Sequence, residues 1–419
     1  MTPDLLDSSV PARSRPTASR RGVPTLAFIA TFWLASSSCA SRQEVPTAPA
    51  PAVTRVKAGR TNWVLRPSEA YDAICLLNLL RGDEFYTRFY PAEFQRFSAL
   101  LEPKEKAALD HLTERMGKQA GKMVGPHLTL VFSVTGATTV DGLARAVSDE
   151  AAWKAMRRDF KATSYGEDSD FGEMEDVRQD LGVLFAFLQR IDFPSIWHAE
   201  YLPQVEQAIA QLGAQVAPHD VVGWDEDILG RSLHVEELNA HVLKFVKPHG
   251  IRVTGWNFLT DLTYPLSVTV KTAVHELLHP PFKREGAIDA RLTALEADPY
   301  FQRLVREHDP AFGYTTARGL TEEDCAEAID VFVSERQGLL RTKDGKPRTG
   351  ADFFRDHDDG IHVLAYVLYE ELRRAEFSPG TKYEDFILKL FDTGVLVPGK
   401  FEQRFRSYSG TYPVKALKE

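Results

Sequence analysis

The sequence of 419 residues contains no long block of lysine or arginine, and its formal net charge is −9. This absence argues against a nucleic-acid partner, because the neutralisation of phosphates requires a concentrated basic surface. Cysteine is also scarce, with three residues in the whole chain. Without the N-terminal segment only Cys75 and Cys325 remain, too few for a disulfide framework. The two cysteines are either one disulfide bridge or two small buried hydrophobic residues.

The first forty residues form a separate unit. Four arginines precede an apolar run at 24–35, which is followed by SSSCAS. The run is shorter than the roughly 20 residues of a transmembrane helix, and the whole pattern is typical of an export signal. We therefore predict a signal peptide over 1–40 and an exported protein, either in the bacterial cell envelope or secreted. Cys39 closes LASSSC, which resembles a bacterial lipoprotein box. Lipidation of Cys39, which would tether the chain to a membrane, and ordinary cleavage after Ala40 are the two alternatives.

The composition of the chain changes near residue 62. Residues 41–61 are rich in proline and alanine, which predicts an extended tether. Residues 62–419 mix helical and strand-like segments, and we predict one α+β, helix-dominated domain there. Its first lobe, to about residue 285, holds the few strands, and its second lobe, 286–419, is helical.

Strand and helix positions follow from the local patterns. Runs rich in β-branched residues predict strands at 127–136 and 251–259. Apolar residues at helical spacing predict helices in both lobes. The predicted helices lie at 104–121, 140–160, 174–189 and 201–212 in the first lobe, and at 287–297, 321–337, 361–375 and 383–391 in the second.

The stretch TAVHELLHPP, residues 272–281, carries the strongest functional signal. On a helix, His275 and His279 project about 40° apart and one turn from each other. Glu276 flanks this face, within reach of a water molecule on a cation held by the two imidazoles. The opposite side of the helix is apolar, with Val274, Leu277 and Leu278. This is the physical content of the HExxH motif, in which two neutral imidazoles bind zinc and a carboxylate acts as general base.

A simpler interpretation is that three polar residues fall together on a helix by chance. The apolar flanks and the export signal favour the metal site. Pro280 follows His279 directly, and residues before proline avoid the α-helical region. We therefore expect the helix to end or kink at His279, with the second ligand in its last turn.

A third ligand is expected from the run LTEEDCAEAIDVFVSE, residues 320–335. Glu323, Glu327 and Asp330 fall on one face of a helix that Thr321 could cap. The apolar residues behind them are Cys325, Ile329 and Phe332. We predict Glu323 as the ligand and Glu327 as a carboxylate that orients a ligand histidine. The alternative is a solvated acidic face. Glu322 and Asp298 are weaker candidates for the third ligand.

The HELLH segment followed by E-x-x-x-E-A-I resembles the gluzincin class of zinc peptidases. It is similar, more narrowly, to a group of poorly characterised bacterial exported metallopeptidases. The resemblance implies a zincin-like fold, one Zn²⁺ ion held by His275, His279 and Glu323, Glu276 as general base, and a peptide or protein substrate. The gap between His279 and Glu323 is wider than the thermolysin-like spacing, which leaves the third ligand less secure.

The same resemblance implies a tyrosine or histidine that hydrogen-bonds the oxyanion. The candidates are His357, His362, Tyr366 and Tyr369, of which we favour His362; a histidine on a helix surface is the alternative for each. We predict that five other histidines are surface residues or buried residues with hydrogen-bond partners: His198, His219, His234, His241 and His249.

Two functions therefore remain open from the sequence. The first is an exported zinc-dependent hydrolase, most simply a peptidase. The second is a non-catalytic, envelope-anchored binding or scaffold protein that keeps a zincin-like fold. Zinc content separates them.

Overall fold

A mixed five-stranded sheet lies between two hydrophobic cores. Its strands are β1 (Thr54–Ala58), β2 (Thr61–Pro67), β3 (Leu238–Leu243), β4 (Ile251–Val253) and β5 (Asn257–Asp261), in the spatial order β1-β2-β3-β5-β4. The inner strands β2, β3 and β5 are parallel, whereas β1 and β4 pair antiparallel at the two edges. The molecule is otherwise helical, so the prediction of a helix-dominated α+β fold is confirmed.

The computed structural model describes residues 53–163, 165–166, 171–279, 281–282, 286–308, 314, 316–342, 344–375, 381–410, 414–415 and 417. The predicted signal peptide and Cys39 lie outside the described residues. No helix within these ranges has the length and apolar character needed to cross a membrane. Residues 50–419 form one compact unit.

The helices before the HELLH segment are α1 (Glu69–Leu80), α2 (Glu84–Thr87), α3 (Pro91–Ser98), α4 (Pro103–Leu112), α5 (Val124–Phe132), α6 (Val140–Ser148), α7 (Glu150–Lys161), α8 (Gly172–Arg190), α9 (Phe193–Ile196), α10 (Leu202–Val216) and α11 (Val221–Leu229). Those that follow β5 are α12 (Leu266–Leu277), α13 (Ala287–Glu296), α14 (Pro299–Glu307), α15 (Ala317–Arg336), α16 (Gly350–Asp356), α17 (Val363–Arg374), α18 (Tyr383–Asp392) and α19 (Phe401–Ser409).

Three predictions of local structure are wrong. The stretch 127–136 is mostly helix α5 rather than a strand, because its buried residues recur at helical spacing: Val124, Leu128, Val131 and Phe132. The predicted tether is wrong over residues 54–61, since β1 pairs with β2 there; residues 41–52 lie outside the described residues. Helix α15 begins at Ala317 with Thr316 as its cap, so Thr321 lies inside the helix.

The predicted strand at 251–259 is two short strands, β4 and β5, joined by a turn. Gly255 in this turn has φ +73°, a conformation that glycine adopts at no steric cost. The turn reverses the chain and makes β4 the edge of the sheet. Gly250, just before β4, lies so close to Thr272 that an added Cβ would approach its side chain to 2.3 Å. The edge of the sheet therefore packs directly on helix α12.

The two cores share the sheet. The N-terminal core contains buried side chains of residues 70–201 and of one face of the sheet, whereas the C-terminal core contains the other face and buried side chains from Val205 onwards. Successive strand residues point to opposite faces. Phe258 accordingly packs in the C-terminal core and Leu259 in the N-terminal core. Cys75 and Cys325 are buried in different cores, and both are free thiols.

Helix α15 crosses the C-terminal core and is buried along most of its length. Its predicted apolar face is confirmed, with Cys325, Ile329 and Phe332 at most 3% exposed. The acidic face is also buried, since Glu327 and Asp330 are 2% and 0% exposed. The alternative of a solvated acidic face is therefore wrong. Buried carboxylates require positively charged or hydrogen-bonding partners, and those partners define the site described next.

Candidate metal centre

Helix α12 presents the HELLH segment to a cavity. It follows β5 after a short turn, and the hydroxyl groups of Thr260 and Thr269 form a hydrogen bond of 2.9 Å between the strand and the helix. The predicted apolar back of the helix is confirmed, because Val274, Leu277 and Leu278 are at most 3% exposed. The helix ends at Leu277, two residues before the expected end at His279, so His279 lies in the turn that follows and not in the last turn of the helix.

Three potential ligand atoms converge at the end of this helix. The Nε2 atoms of His275 and His279 are 2.9 Å apart. Glu323 on α15 places one carboxylate oxygen 3.1 Å from Nε2 of His275 and the other 3.5 Å from Nε2 of His279. The structure thus brings together the three residues that the sequence suggests as ligands, although 43 residues lie between His279 and Glu323 in the sequence.

These distances suit a single small cation. Ligand atoms about 2.0–2.1 Å from a tetrahedral zinc ion lie about 3.3–3.4 Å from one another. The measured separations of 2.9, 3.1 and 3.5 Å scatter around that value. Two imidazole nitrogens and one carboxylate oxygen also leave the fourth position of a tetrahedron open to water. The donor set therefore fits a metal ion of the zinc type with one exchangeable position. We call these three residues, together with Glu276, the HELLH centre.

The electrostatics of the HELLH centre favour one positive charge. Burial lowers the pKa of His279 to about 4, which keeps its imidazole neutral and able to bind a metal. Burial opposes ionisation of Glu323, but the neighbouring His275 lowers the pKa of this carboxyl group to about 2. Burial likewise opposes charge on His275, yet Glu323 raises its pKa well above the ordinary value. In the metal-free centre this positive charge is a proton on His275, and a cation would replace it.

Glu276 lines the same cavity as the three ligands. Burial raises the pKa of its carboxyl group to about 7. A carboxylate with a pKa near the working pH can both accept and return a proton. Its position and its acidity therefore agree with the predicted role of a general base.

Arg252 holds the end of helix α12 in place. Its Nη1 atom donates to the main-chain oxygens of Glu276 and His279. An arginine near a helix C-terminus satisfies the carbonyl groups that have no partner within the helix. Because Arg252 lies on β4, it connects the edge of the sheet to the turn that carries His279.

Glu327 lies behind His275, as predicted. One of its oxygens is 3.2 Å from Nδ1 of His275, within ion-pair distance but without the geometry of a regular hydrogen bond. The other oxygen is 3.3 Å from the ammonium group of Lys271, which also contacts Asp330. Burial opposes the charge on Lys271, but Asp330 and Glu327 raise its pKa. The positive charge of Lys271 thus offsets one of the two negative charges in this second group of acids.

The cavity beside the HELLH centre has a volume of about 590 Å³. Apolar side chains form much of its wall, among them Phe85, Met123, Val268 and Phe353. Met123 and Val268 are 40% and 37% exposed, which is unusual for large hydrophobic residues of this chain. A second depression of about 470 Å³ is lined by residues between Val134 and Asp159, with Arg145 and Asp159 as its only charged groups. The first cavity, which His275, Glu276, His279 and Glu323 line, is therefore the candidate site.

The structure places His362 behind the cavity wall rather than on it. Its side chain is fully buried, and its Nδ1 lies 2.7 Å from a carboxylate oxygen of Asp324. Burial opposes charge on His362, but Asp324 raises its pKa to about 10. Tyr314 and His357 contact the His362 ring and line the cavity. His362 as the oxyanion donor stays a prediction.

The weaker candidates have other partners. Glu322 forms an ion pair with Arg318, which also contacts Glu296. Asp298 caps α14 and accepts hydrogen bonds from the main-chain nitrogens of Gly399 and Phe401. The Tyr369 hydroxyl donates to Glu335, and Tyr366 packs against Phe354 and Phe405. None of these four residues lines the cavity in the described part of the chain.

Two of the remaining histidines bear on the predictions. His249 lines the cavity, with Nε2 3.1 Å from the Tyr86 hydroxyl, so it is a partnered histidine that also faces the site. His241 is enclosed in β3 against the ring of Tyr71. Burial lowers its pKa to about 3.

Sequence reasoning missed three residues around the site: Arg252, Lys271 and Tyr314. Lys271 had a usable signal, because it precedes His275 by one helical turn and shares its face. Arg252 and Tyr314 had none, since their positions depend on strand pairing and on a loop. Comparison of the chain with protein-family models, with curated proteins and with solved structures gave no match. The function is therefore inferred from the geometry of the site.

Proposed function

We propose that this protein is a zinc-dependent hydrolase with a zincin-like active site, and that its substrate is a peptide or protein. One observation carries the proposal: the ligand atoms of His275, His279 and Glu323 lie 2.9–3.5 Å from one another beside Glu276 and an open cavity. A zinc ion bound there would lower the pKa of its water to about 7 and polarise a substrate carbonyl.

The protein residues have separate tasks in this proposal. His275, His279 and Glu323 bind the metal, and Glu327 holds the His275 ring in orientation. Glu276 accepts the proton of the attacking water and returns it to the leaving amine. Arg252 fixes the turn that carries His279. The oxyanion donor belongs on the wall where Tyr314 lines the cavity, since His362 lies behind that wall.

The cavity wall suggests which substrates fit. Phe85, Met123 and Val268 offer an apolar surface beside the metal ligands, which favours a substrate with an apolar side chain. Strand β4 is an edge of the sheet, and Gly250 at its start lines the cavity. An extended peptide could pair with such an edge. We therefore propose peptides with a hydrophobic residue next to the cleaved bond.

The location of the activity is also a proposal. The signal pattern over 1–40 supports export to the bacterial cell envelope or beyond it, with Cys39 as a lipid anchor or ordinary cleavage after Ala40.

Glu276→Gln tests the proposed function directly. We expect the variant to bind one zinc ion at the HELLH centre like the parent, because Glu276 is not a ligand. Hydrolysis of fluorogenic peptides with apolar side chains should fall by roughly 10²–10⁴-fold, the usual contribution of a general base. Equal rates for the variant and the parent would exclude this mechanism. A parent protein that takes up no zinc at this centre would instead support the non-catalytic scaffold.

A further inference from the structure

A second group of metal-binding side chains lies beside the HELLH centre. His357, Asp358 and His362 each offer one ligand atom, and these atoms lie within 4.8 Å of one another. Nε2 of His362 is 3.5 Å from Oδ2 of Asp358, and Nδ1 of His357 is 3.9 Å from the other oxygen of the same carboxylate. We call these three residues the Asp358 cluster.

The separations within this cluster are long for hydrogen bonds. Strong N–H···O bonds are about 2.7–3.2 Å long. The Tyr314 hydroxyl is also distant, at 3.4 Å from Asp358 Oδ2 and 3.5 Å from His362 Nε2. Atoms that share one small cation lie about 3.3–3.4 Å apart. The 3.5 Å between His362 and Asp358 is close to that value, and the 3.9 Å between His357 and Asp358 is somewhat longer.

His362 has the orientation of a metal ligand. Its Nδ1 faces Asp324 at 2.7 Å, and Asp324 also accepts the main-chain N–H of Leu364 at 3.0 Å. A buried carboxylate bonded to one ring nitrogen fixes the ring and directs the other nitrogen to a metal. In this structure the other nitrogen, Nε2, points to Asp358 and Tyr314.

The backbone around Asp358 is held in an unusual conformation. Asp358 and Asp359 both have positive φ, 42° and 54°. Residues held in such conformations are concentrated at ligand-binding and active sites. The turn directs Asp358 towards the two imidazoles, whereas Asp359 is exposed.

We propose that His357, Asp358 and His362 form a second divalent-cation site. Two imidazoles and one carboxylate suit a transition metal such as Zn²⁺ rather than Ca²⁺ or Mg²⁺, which prefer oxygen ligands. The site is separate from the HELLH centre, because Glu327 lies between them, 3.2 Å from Nδ1 of His275 and 3.7 Å from Nε2 of His357. The second cation would fix the turn at Asp358 and, through it, the wall of the cavity. The role of this second cation would be to hold these residues in position.

Metal stoichiometry tests the proposal. The full exported chain is stripped with a chelator, dialysed against Zn²⁺ at pH 8, and its zinc counted by mass spectrometry. We expect two ions per chain for the parent, one for Asp358→Asn and one for His279→Ala. The matched control is Asp359→Asn, which makes the same chemical change at the neighbouring exposed residue with positive φ and should retain two ions. Circular dichroism verifies that each variant is folded.

The outcomes separate this proposal from the proposed function. The second site would be overturned if the parent binds one ion and Asp358→Asn also binds one. It would equally be overturned if Asp358→Asn binds two ions. If the parent binds one ion, and that ion is lost in Asp358→Asn but kept in His279→Ala, the result would support the second site and contradict the proposed hydrolase function.

A measurement on the unaltered protein avoids the question of folding. Co²⁺ is added in steps to the stripped parent while its visible absorption is recorded. We expect the second equivalent to add d–d bands that differ from those of the first, because the two ligand sets differ. Saturation of the spectrum at one equivalent would show that the Asp358 cluster holds a proton rather than a metal.

Discussion

The HELLH centre and the Asp358 cluster use the same residue types in opposite ways. The HELLH centre takes two ligands from one helix and its turn and the third from α15, more than forty residues away in the sequence. The Asp358 cluster takes all its ligands from the short stretch 357–362, folded into a turn with positive φ. Regular helix geometry positions the first pair of imidazoles, whereas backbone strain and a buried carboxylate position the second.

One helix supplies acids to both. Glu323 and Asp324 are consecutive on α15, so their side chains point about 100° apart. Glu323 contacts the two imidazoles of the HELLH centre, whereas Asp324 bonds to His362. Glu327, one turn further, lies between the clusters. The comparison teaches that neighbouring acids on a buried helix can serve different sites, which a single acidic face would not suggest.

The largest effect is expected from Glu323→Gln. An amide in place of this carboxylate removes the negative ligand of the HELLH centre. Altering a residue that only contacts a metal ligand lowers metal affinity by roughly 10–100-fold. Zinc affinity at the HELLH centre should fall by more than that, with a parallel loss of hydrolysis. Zinc titration measures the change. Glu322→Gln is the matched control, because its carboxylate pairs with Arg318 instead; equal zinc affinities in the two variants would contradict the assignment of Glu323.

Lys271→Met should lower the free energy of unfolding. It leaves the buried carboxylates of Glu327 and Asp330 without their ammonium partner. Removal of one member of a buried ion pair costs about 3–5 kcal/mol. Urea unfolding measures the loss. Arg55→Met, which breaks the exposed pair with Glu237, is the control and should cost at most about 1 kcal/mol. Similar losses in both variants would show that Lys271 is not needed to neutralise the acids between the clusters.

The smallest effect concerns a histidine outside both clusters. Burial lowers the pKa of His241 to about 3, below the value of about 6.5 in an unfolded chain. The unfolded chain therefore binds more protons, and the stability that His241 contributes is present above pH 6.5 and is lost as the pH falls. Between pH 6.5 and 5.5 this loss amounts to about 1 kcal/mol. His241→Phe should reduce the pH dependence of unfolding by that amount; an unchanged slope would contradict the assigned pKa.

The sequence predicted most helices because apolar residues at helical spacing bury one face wherever the helix packs. It failed at 127–136, where β-branched residues suggested a strand although the buried positions follow a helical period. It also failed at the tether, because the pairing of β1 with β2 adds order that composition does not reveal. Both errors arise from giving composition more weight than spacing or long-range pairing.

The sequence alone determined the positions of His275 and Glu276 relative to each other, because a fixed rotation per residue sets the directions of side chains within a turn of helix; His279 lies in the turn after the helix, where that rotation no longer applies. It also determined that Glu323 and Glu327 share a face of α15. Only the tertiary structure decided that this face meets the two imidazoles, that His362 lies behind Tyr314, and that Arg252 and Lys271 belong to the site. Those distances depend on how helices pack against a sheet and against each other, and side-chain contacts across a core, not local spacing, set that packing.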